Sequence, residues 1–90
     1  MVKLSTDGTP YSGNERRAFA AMPKTGRPIS TTELAERMYK NGNGPANARQ
    51  VALAVMVALS RKVKRNREAY VIKRTARSGP YPLQWRIEAR

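Results

Sequence analysis

The chain predicts a small α+β domain in which three helices precede a two-stranded β-hairpin. Three observations carry that expectation. Two S-x-x-E patterns, Ser12 to Glu15 and Ser30 to Glu33, each stand ahead of a segment with helical apolar spacing. A longer segment after Asn47 keeps one broad apolar face. Near the C-terminus, Leu83, Trp85 and Ile87 alternate with Gln84, Arg86 and Glu88, which is the period of a half-buried strand. Ninety residues with 40% hydrophobic content suit one domain with one modest core.

Residues 1 to 11 show no sustained periodicity and contain Gly8 and Pro10, so they are expected to form a flexible arm, with the domain proper spanning 12–90. The first helix starts at the Ser12 cap, places Ala18, Phe19 and Met22 on one face and stops before Pro23. "KTGRP" reads as a turn, and Ile29, between Pro28 and Ser30, leaves room only for a very short strand. The second helix starts at Thr31 and runs about ten residues, with Leu34, Ala35, Met38 and Tyr39 inward. Glu33 with Arg37 and Glu36 with Lys40 are expected outward pairs in the acid-first order, and "NGNG" is the expected stop. Asn47 followed by Gln50 is read as the cap of a third helix running to about Arg65. "EAYVIKRT" and "LQWRIEA" then read as strands joined by the loop "ARSGPYP".

Eighteen Lys and Arg stand against six acidic residues, a formal net charge of +12. A compact chain so charged repels itself unless its field holds an anionic partner, and nucleic acid is the first candidate. There is no Cys and no His, which removes disulfides, zinc sites and His-based acid–base chemistry. The one Asp, Asp7, has no partner at a catalytic spacing, so no catalytic residue, metal site or cofactor is expected. The longest apolar run, "VALAVMVAL" at 51–59, is far short of the about 20 residues that span a bilayer, and the start lacks the apolar core of a signal peptide. The expectation is a cytoplasmic protein, nucleoid-associated if bacterial, with no membrane partner.

The order helix, tiny strand, helix, helix, strand, loop, strand, together with the segment "PISTTELAERM", resembles the winged-helix (winged helix-turn-helix) DNA-binding family over roughly residues 12–88. The resemblance implies a third helix in the major groove and a wing, the loop between the last strands, against the backbone or minor groove. The charge pattern agrees independently. From Arg61 to Arg77 the chain carries Arg61, Lys62, Lys64, Arg65, Arg67, Lys73, Arg74 and Arg77 against Glu68 alone, a phosphate clamp by composition.

On the third helix, Val51, Ala52, Val55, Met56, Leu59 and Val63 form the core face, and the opposite side carries Arg49, Gln50, Leu53, Val57, Ser60, Arg61 and Lys64. Arg49 and Gln50 suit guanine and adenine edges. The amides and hydroxyls at Thr31 and Thr32 suit a phosphate at a helix start. Nucleic-acid contacts are therefore expected at Thr31, Thr32, Asn47, Arg49, Gln50, Arg61, Lys64, Arg65, Lys73, Arg74, Arg77 and Ser78. Leu53 and Val57 depart from a polar groove-facing surface; they would touch thymine methyls, pack under the wing, or form a homodimer interface. Trp85, Tyr70 and Ile72 belong to the core rather than to a stacking platform. Duplex DNA is the expected partner, a small regulator the expected role, and RNA binding or ribosome association the alternative, with a protein-interaction module behind both.

Overall fold

The computed structural model describes residues 4–5, 8–40, 44–75 and 83–90. Its elements are α1 (Gly13–Ala21), β1 (Ile29–Ser30), α2 (Thr31–Met38), α3 (Ala48–Arg65), β2 (Tyr70–Arg74) and β3 (Gln84–Ala89). The result is a small α+β domain of three helices and a three-stranded antiparallel sheet in the order β1-β3-β2. The loop expected to be a wing, including Arg77 and Ser78, lies outside the described residues, as do 41–43 of the expected "NGNG" stop.

α1 begins where the sequence predicts. The Ser12 hydroxyl accepts the Glu15 amide at 3.1 Å and the Glu15 carboxylate accepts the Ser12 amide at 2.6 Å, a complete capping box. The helix ends at Met22, whose extended backbone (ψ 139°) is what a following Pro23 imposes. No basic residue lies in its last turn. Instead Lys24 folds back and donates to the Phe19 carbonyl and, at 2.7 Å, to the Met22 carbonyl, supplying the cation that a helix C-terminus favours. Burial holds the Lys24 pKa below its ordinary value.

At α2 only half of the expected capping box forms. Ser30 Oγ accepts the Glu33 amide at 3.1 Å, while the Glu33 carboxylate turns to Arg37 at 3.1 Å. The Glu36–Lys40 pair does not close. At α3 the expected cap is absent: Asn47 makes no side-chain cap bond. The reason is backbone geometry. Ser12 and Ser30 are extended, with ψ 166° and 156°, whereas Asn47 sits at ψ 36°, in a turn closed by the Ala48 amide on the Pro45 carbonyl at 3.1 Å. A capping side chain needs the extended conformation to reach back.

The other end of α3 is closed by a motif that the sequence hides. The Glu68 amide donates to the Val63 carbonyl and the Arg67 amide to the Lys64 carbonyl, with Arg67 at φ 53°. This is a Schellman ending in which Arg occupies the left-handed position that glycine ordinarily takes. Ala52, Met56, Leu59 and Val63, spaced four, three and four apart, are all fully buried. Each such Leu, Met or Val contributes about 1.5–3 kcal/mol over its exposed state.

β3 is central. β2 pairs with it from Tyr70↔Ala89 to Arg74↔Trp85, and the two residues of β1 pair on its other edge, Ile29↔Trp85 and Ser30↔Gln84. Tyr70, Ile72, Trp85 and Ile87 face the helices, and Trp85 is 1% exposed. The hairpin is thus one part of a three-stranded sheet, because β1, short as it is, supplies the pairing that β3 needs on its second edge.

The segment expected to be a free arm is fastened where it is described. Tyr11 is a core residue. Its hydroxyl donates to Glu68 at 2.6 Å, and the Ser5 amide and hydroxyl reach the same carboxylate at 3.2 and 3.1 Å. Thr9 exchanges two hydrogen bonds with the Asn66 side-chain amide, 2.8 and 3.0 Å. A buried carboxylate must be satisfied, and the arm is what satisfies it.

Candidate nucleic-acid interface

The exposed side of α3 is a stripe at helical spacing: Arg49, Leu53, Val57, Ser60 or Arg61, and Lys64. Fifteen residues of rise at 1.5 Å carry it about 22 Å along the helix. Each end of the stripe opens into a cleft. At the start of α3, Arg49 shares a cleft of ≈ 270 Å³ with Thr32, Glu36, Tyr39 and Pro45. Towards the end, Arg61 shares a cleft of ≈ 360 Å³ with Val57, Ser60, Lys73, Arg74 and Trp85. The fold therefore brings Arg61, Lys73 and Arg74 together, although twelve or more residues separate the first from the others.

These cations are uncompensated. Arg49, Arg61, Lys64, Arg65, Lys73 and Arg74 are exposed and make no ion pair or side-chain hydrogen bond among the described residues. Lys73 even stands directly across from Arg86 in the β2–β3 register. Like charges placed opposite each other on one sheet face are destabilising, and only Arg86 has a local acid, Glu88 at 3.1 Å.

Two expected contacts are corrected by the packing. Thr31 is 3% exposed, and its hydroxyl accepts Trp85 Nε1 at 2.9 Å and donates to the Leu83 carbonyl at 3.3 Å, so it is a strut between α2 and β3 and cannot meet a phosphate. Its neighbour Thr32 is exposed on the α3 side of α2. Lys62, counted in the clamp by sequence, is drawn instead to Glu15 at 2.7 Å and the Pro10 carbonyl at 3.0 Å. Burial pushes the Glu15 carboxyl up, but the bond from Lys62 and those from Ser12 outweigh it and leave its pKa below the ordinary value. Asn47 and Gln50 are exposed beside Arg49. Leu53 is 38% exposed, whereas Val57 is half-buried and packs against the core, so the expected apolar pair is reduced to one residue.

Among the described residues no group of His, Cys, Asp and Glu is placed to hold a metal ion, and no helix is long and apolar enough to cross a membrane. Compared with known proteins, the chain matches no family model, and no curated protein or solved structure is significantly similar to it.

Proposed function

We propose that this domain is a winged-helix nucleic-acid-binding module that holds duplex DNA, with α3 in the major groove and the β2–β3 hairpin against the backbone. The observation that carries the reading is the cleft between α3 and the sheet, lined by Arg61, Lys73 and Arg74, none of which has an ion-pair partner among the described residues. The element order α1-β1-α2-α3-β2-β3, with β1 closing the far edge of β3, supports the family assignment. Cations gathered beside an exposed helix stripe suit a phosphate backbone, which rewards each neutralised charge by counterion release. Arg49 and Gln50, in the first turn, are placed to meet base edges, and Leu53 to meet a thymine methyl. A homodimer through Leu53 is the weaker use of that residue. A stable interface buries about 1,200 Å² or more, and one half-exposed leucine does not provide it.

Binding to duplex DNA, structured RNA and single strands across a salt series tests the reading. Engagement of about five phosphates gives a log–log slope near −4 to −5 on duplex DNA. Replacing Arg61, Lys73 and Arg74 together with Gln removes about three of those contacts and flattens the slope by about 2.7, three times 0.9. A preference for structured RNA at equal salt would move the assignment to RNA, and a slope indifferent to the triple substitution would remove the cleft from the interface.

A further inference from the structure

A second group of cations gathers away from α3. Arg17 of α1, Arg37 of α2 and Lys40, two residues past the end of α2, line one cleft of ≈ 470 Å³, floored by Ala20 and Ala21. On α2, positions 33 and 37 share one flank and 32 and 36 the other. This cleft therefore lies on the α1 side of α2, while the one shared with Arg49 lies on the α3 side, and no residue lines both.

The two guanidinium groups are positioned in advance. Arg37 donates from Nη1 to the Ala21 carbonyl at 3.2 Å and from Nη2 to Glu33 at 3.1 Å. A guanidinium carries five donors, so the anchored group still has N–H bonds to offer. The Arg17 guanidinium lies over the Tyr39 ring, 5.6 Å from its centroid, a contact that orients the group without neutralising it. Lys40 has no ion-pair or hydrogen-bond partner among the described residues, and Glu36, four positions before it, does not reach it. Arg37 and Lys40 line the same cleft with like charge, and like charges brought close repel. Three cations thus line the cleft, and among the described residues Glu33, bound to Arg37, is the one carboxylate paired with any of them.

The geometry points to a phosphate-binding site in this cleft, separate from the α3 face and independent of its assignment. A carboxylate presents its two oxygens in one plane, whereas a phosphate presents oxygens in three dimensions. Cations from two helices surrounding one cleft match a group with oxygens on every side and up to two charges. Arg17 and Arg37 would donate paired N–H bonds, Lys40 would act as a point charge, and the alanine floor would let the group approach. The phosphate has two sources: a small phosphorylated ligand, or the backbone of a nucleic-acid segment other than the one on α3. In the second case one domain joins two segments.

Amide shifts of the ¹⁵N-labelled chain, followed separately with inorganic pyrophosphate and with a short DNA duplex, test the site. Three chains are compared: wild type, Arg17→Gln/Lys40→Gln, and Arg61→Gln/Lys73→Gln/Arg74→Gln. Pyrophosphate is expected to move the Ala20, Ala21 and Arg37 amides of the wild type and of the triple variant, and to bind the Arg17→Gln/Lys40→Gln chain about tenfold more weakly. Lys40→Gln alone breaks no hydrogen bond or ion pair among the described residues and should show part of that loss. If the duplex still moves these amides in the triple variant, the source is nucleic-acid backbone; if pyrophosphate alone moves them, it is a small ligand. Amides that stay still with both probes, or that respond equally in the Arg17→Gln/Lys40→Gln chain, overturn the site. A duplex that leaves the Arg49 and Arg61 amides unmoved counts against the α3 reading only, because the pyrophosphate titration stands by itself.

Discussion

The two ends of α3 are held in opposite ways. At its start no side chain caps the helix, and Asn47, Arg49 and Gln50 stand exposed beside the Pro45 turn. At its finish the backbone and several side chains are committed, through a Schellman ending, Asn66 bonded to Thr9, Lys62 to Glu15, and Glu68 to Tyr11 and Ser5, while Arg61, Lys64 and Arg65 stay exposed. The finish is anchored to the rest of the chain, and the first turns draw their rigidity from that end.

The largest consequence is for Tyr11. If the finish of α3 is the anchored end, Tyr11→Ala should cost about 3–5 kcal/mol in denaturant unfolding, the usual loss for a buried aromatic, with Glu68 left unsatisfied as well. A loss below about 1 kcal/mol would mean that the arm does not hold this end.

Acid should act on the same end. Burial raises the pKa of both carboxyls, but the bonds from Lys62 and Ser12 to Glu15, and from Tyr11 and Ser5 to Glu68, outweigh it and leave both below the ordinary 4.5. The folded chain then binds these protons less readily than the unfolded chain does. The stabilisation is complete above pH 4.5 and is lost as pH falls below it. Thermal melting between pH 7 and pH 3 should show that decline, and Glu15→Gln/Glu68→Gln should be less stable at pH 7 but flatter with pH. Tyr11 moves the other way: burial first, then the bond to Glu68, push its hydroxyl up to about 12, so it keeps its proton throughout.

A smaller effect, of opposite sign, belongs to Arg67. A non-glycine residue at φ 53° is strained, so Arg67→Gly should stabilise the domain by about 1 kcal/mol and raise its melting temperature. No change would mean that the Arg side chain gains as much as its backbone loses.

The smallest effect completes the contrast. Ser30→Ala removes a formed cap and should cost about 1 kcal/mol, whereas Asn47→Ala removes none and should change stability by less than about 0.3 kcal/mol. Equal losses would place a working cap at both helices.

What the sequence made legible follows the same division. The Ser12 box, the Ser30 cap, the core face of α3 and the alternation of β3 are local patterns, fixed by residues three, four or two apart. Asn47 failed as a cap because Pro45 and Ala48 close a turn that no cap rule weighs. Thr31 suits a phosphate by residue type alone, since its partner, Trp85, lies 54 positions away, and the arm reads as free because Tyr11 and Glu68 are 57 apart. Lys62 belongs to the clamp by charge alone, because a count of charges does not contain Glu15 arriving from α1. At the candidate interface the residue types were readable, but the cleft joining Arg61 to Lys73 and Arg74 exists only once β2 packs beside α3.

Trp85 is the chain's one tryptophan, and it occupies an instructive place: sealed among the core side chains, its indole N–H given to Thr31, and counted with Arg61, Lys73 and Arg74 among the residues that line one cleft. The molecule therefore carries its own optical reporter. Intrinsic emission comes from a single site, without the averaging that several indoles impose. Loss of the core shifts that emission towards the red as the ring meets water, whereas an anion settling in the cleft alters the field around an indole that stays dry. One unlabelled sample can thus separate unfolding from occupancy by colour and intensity.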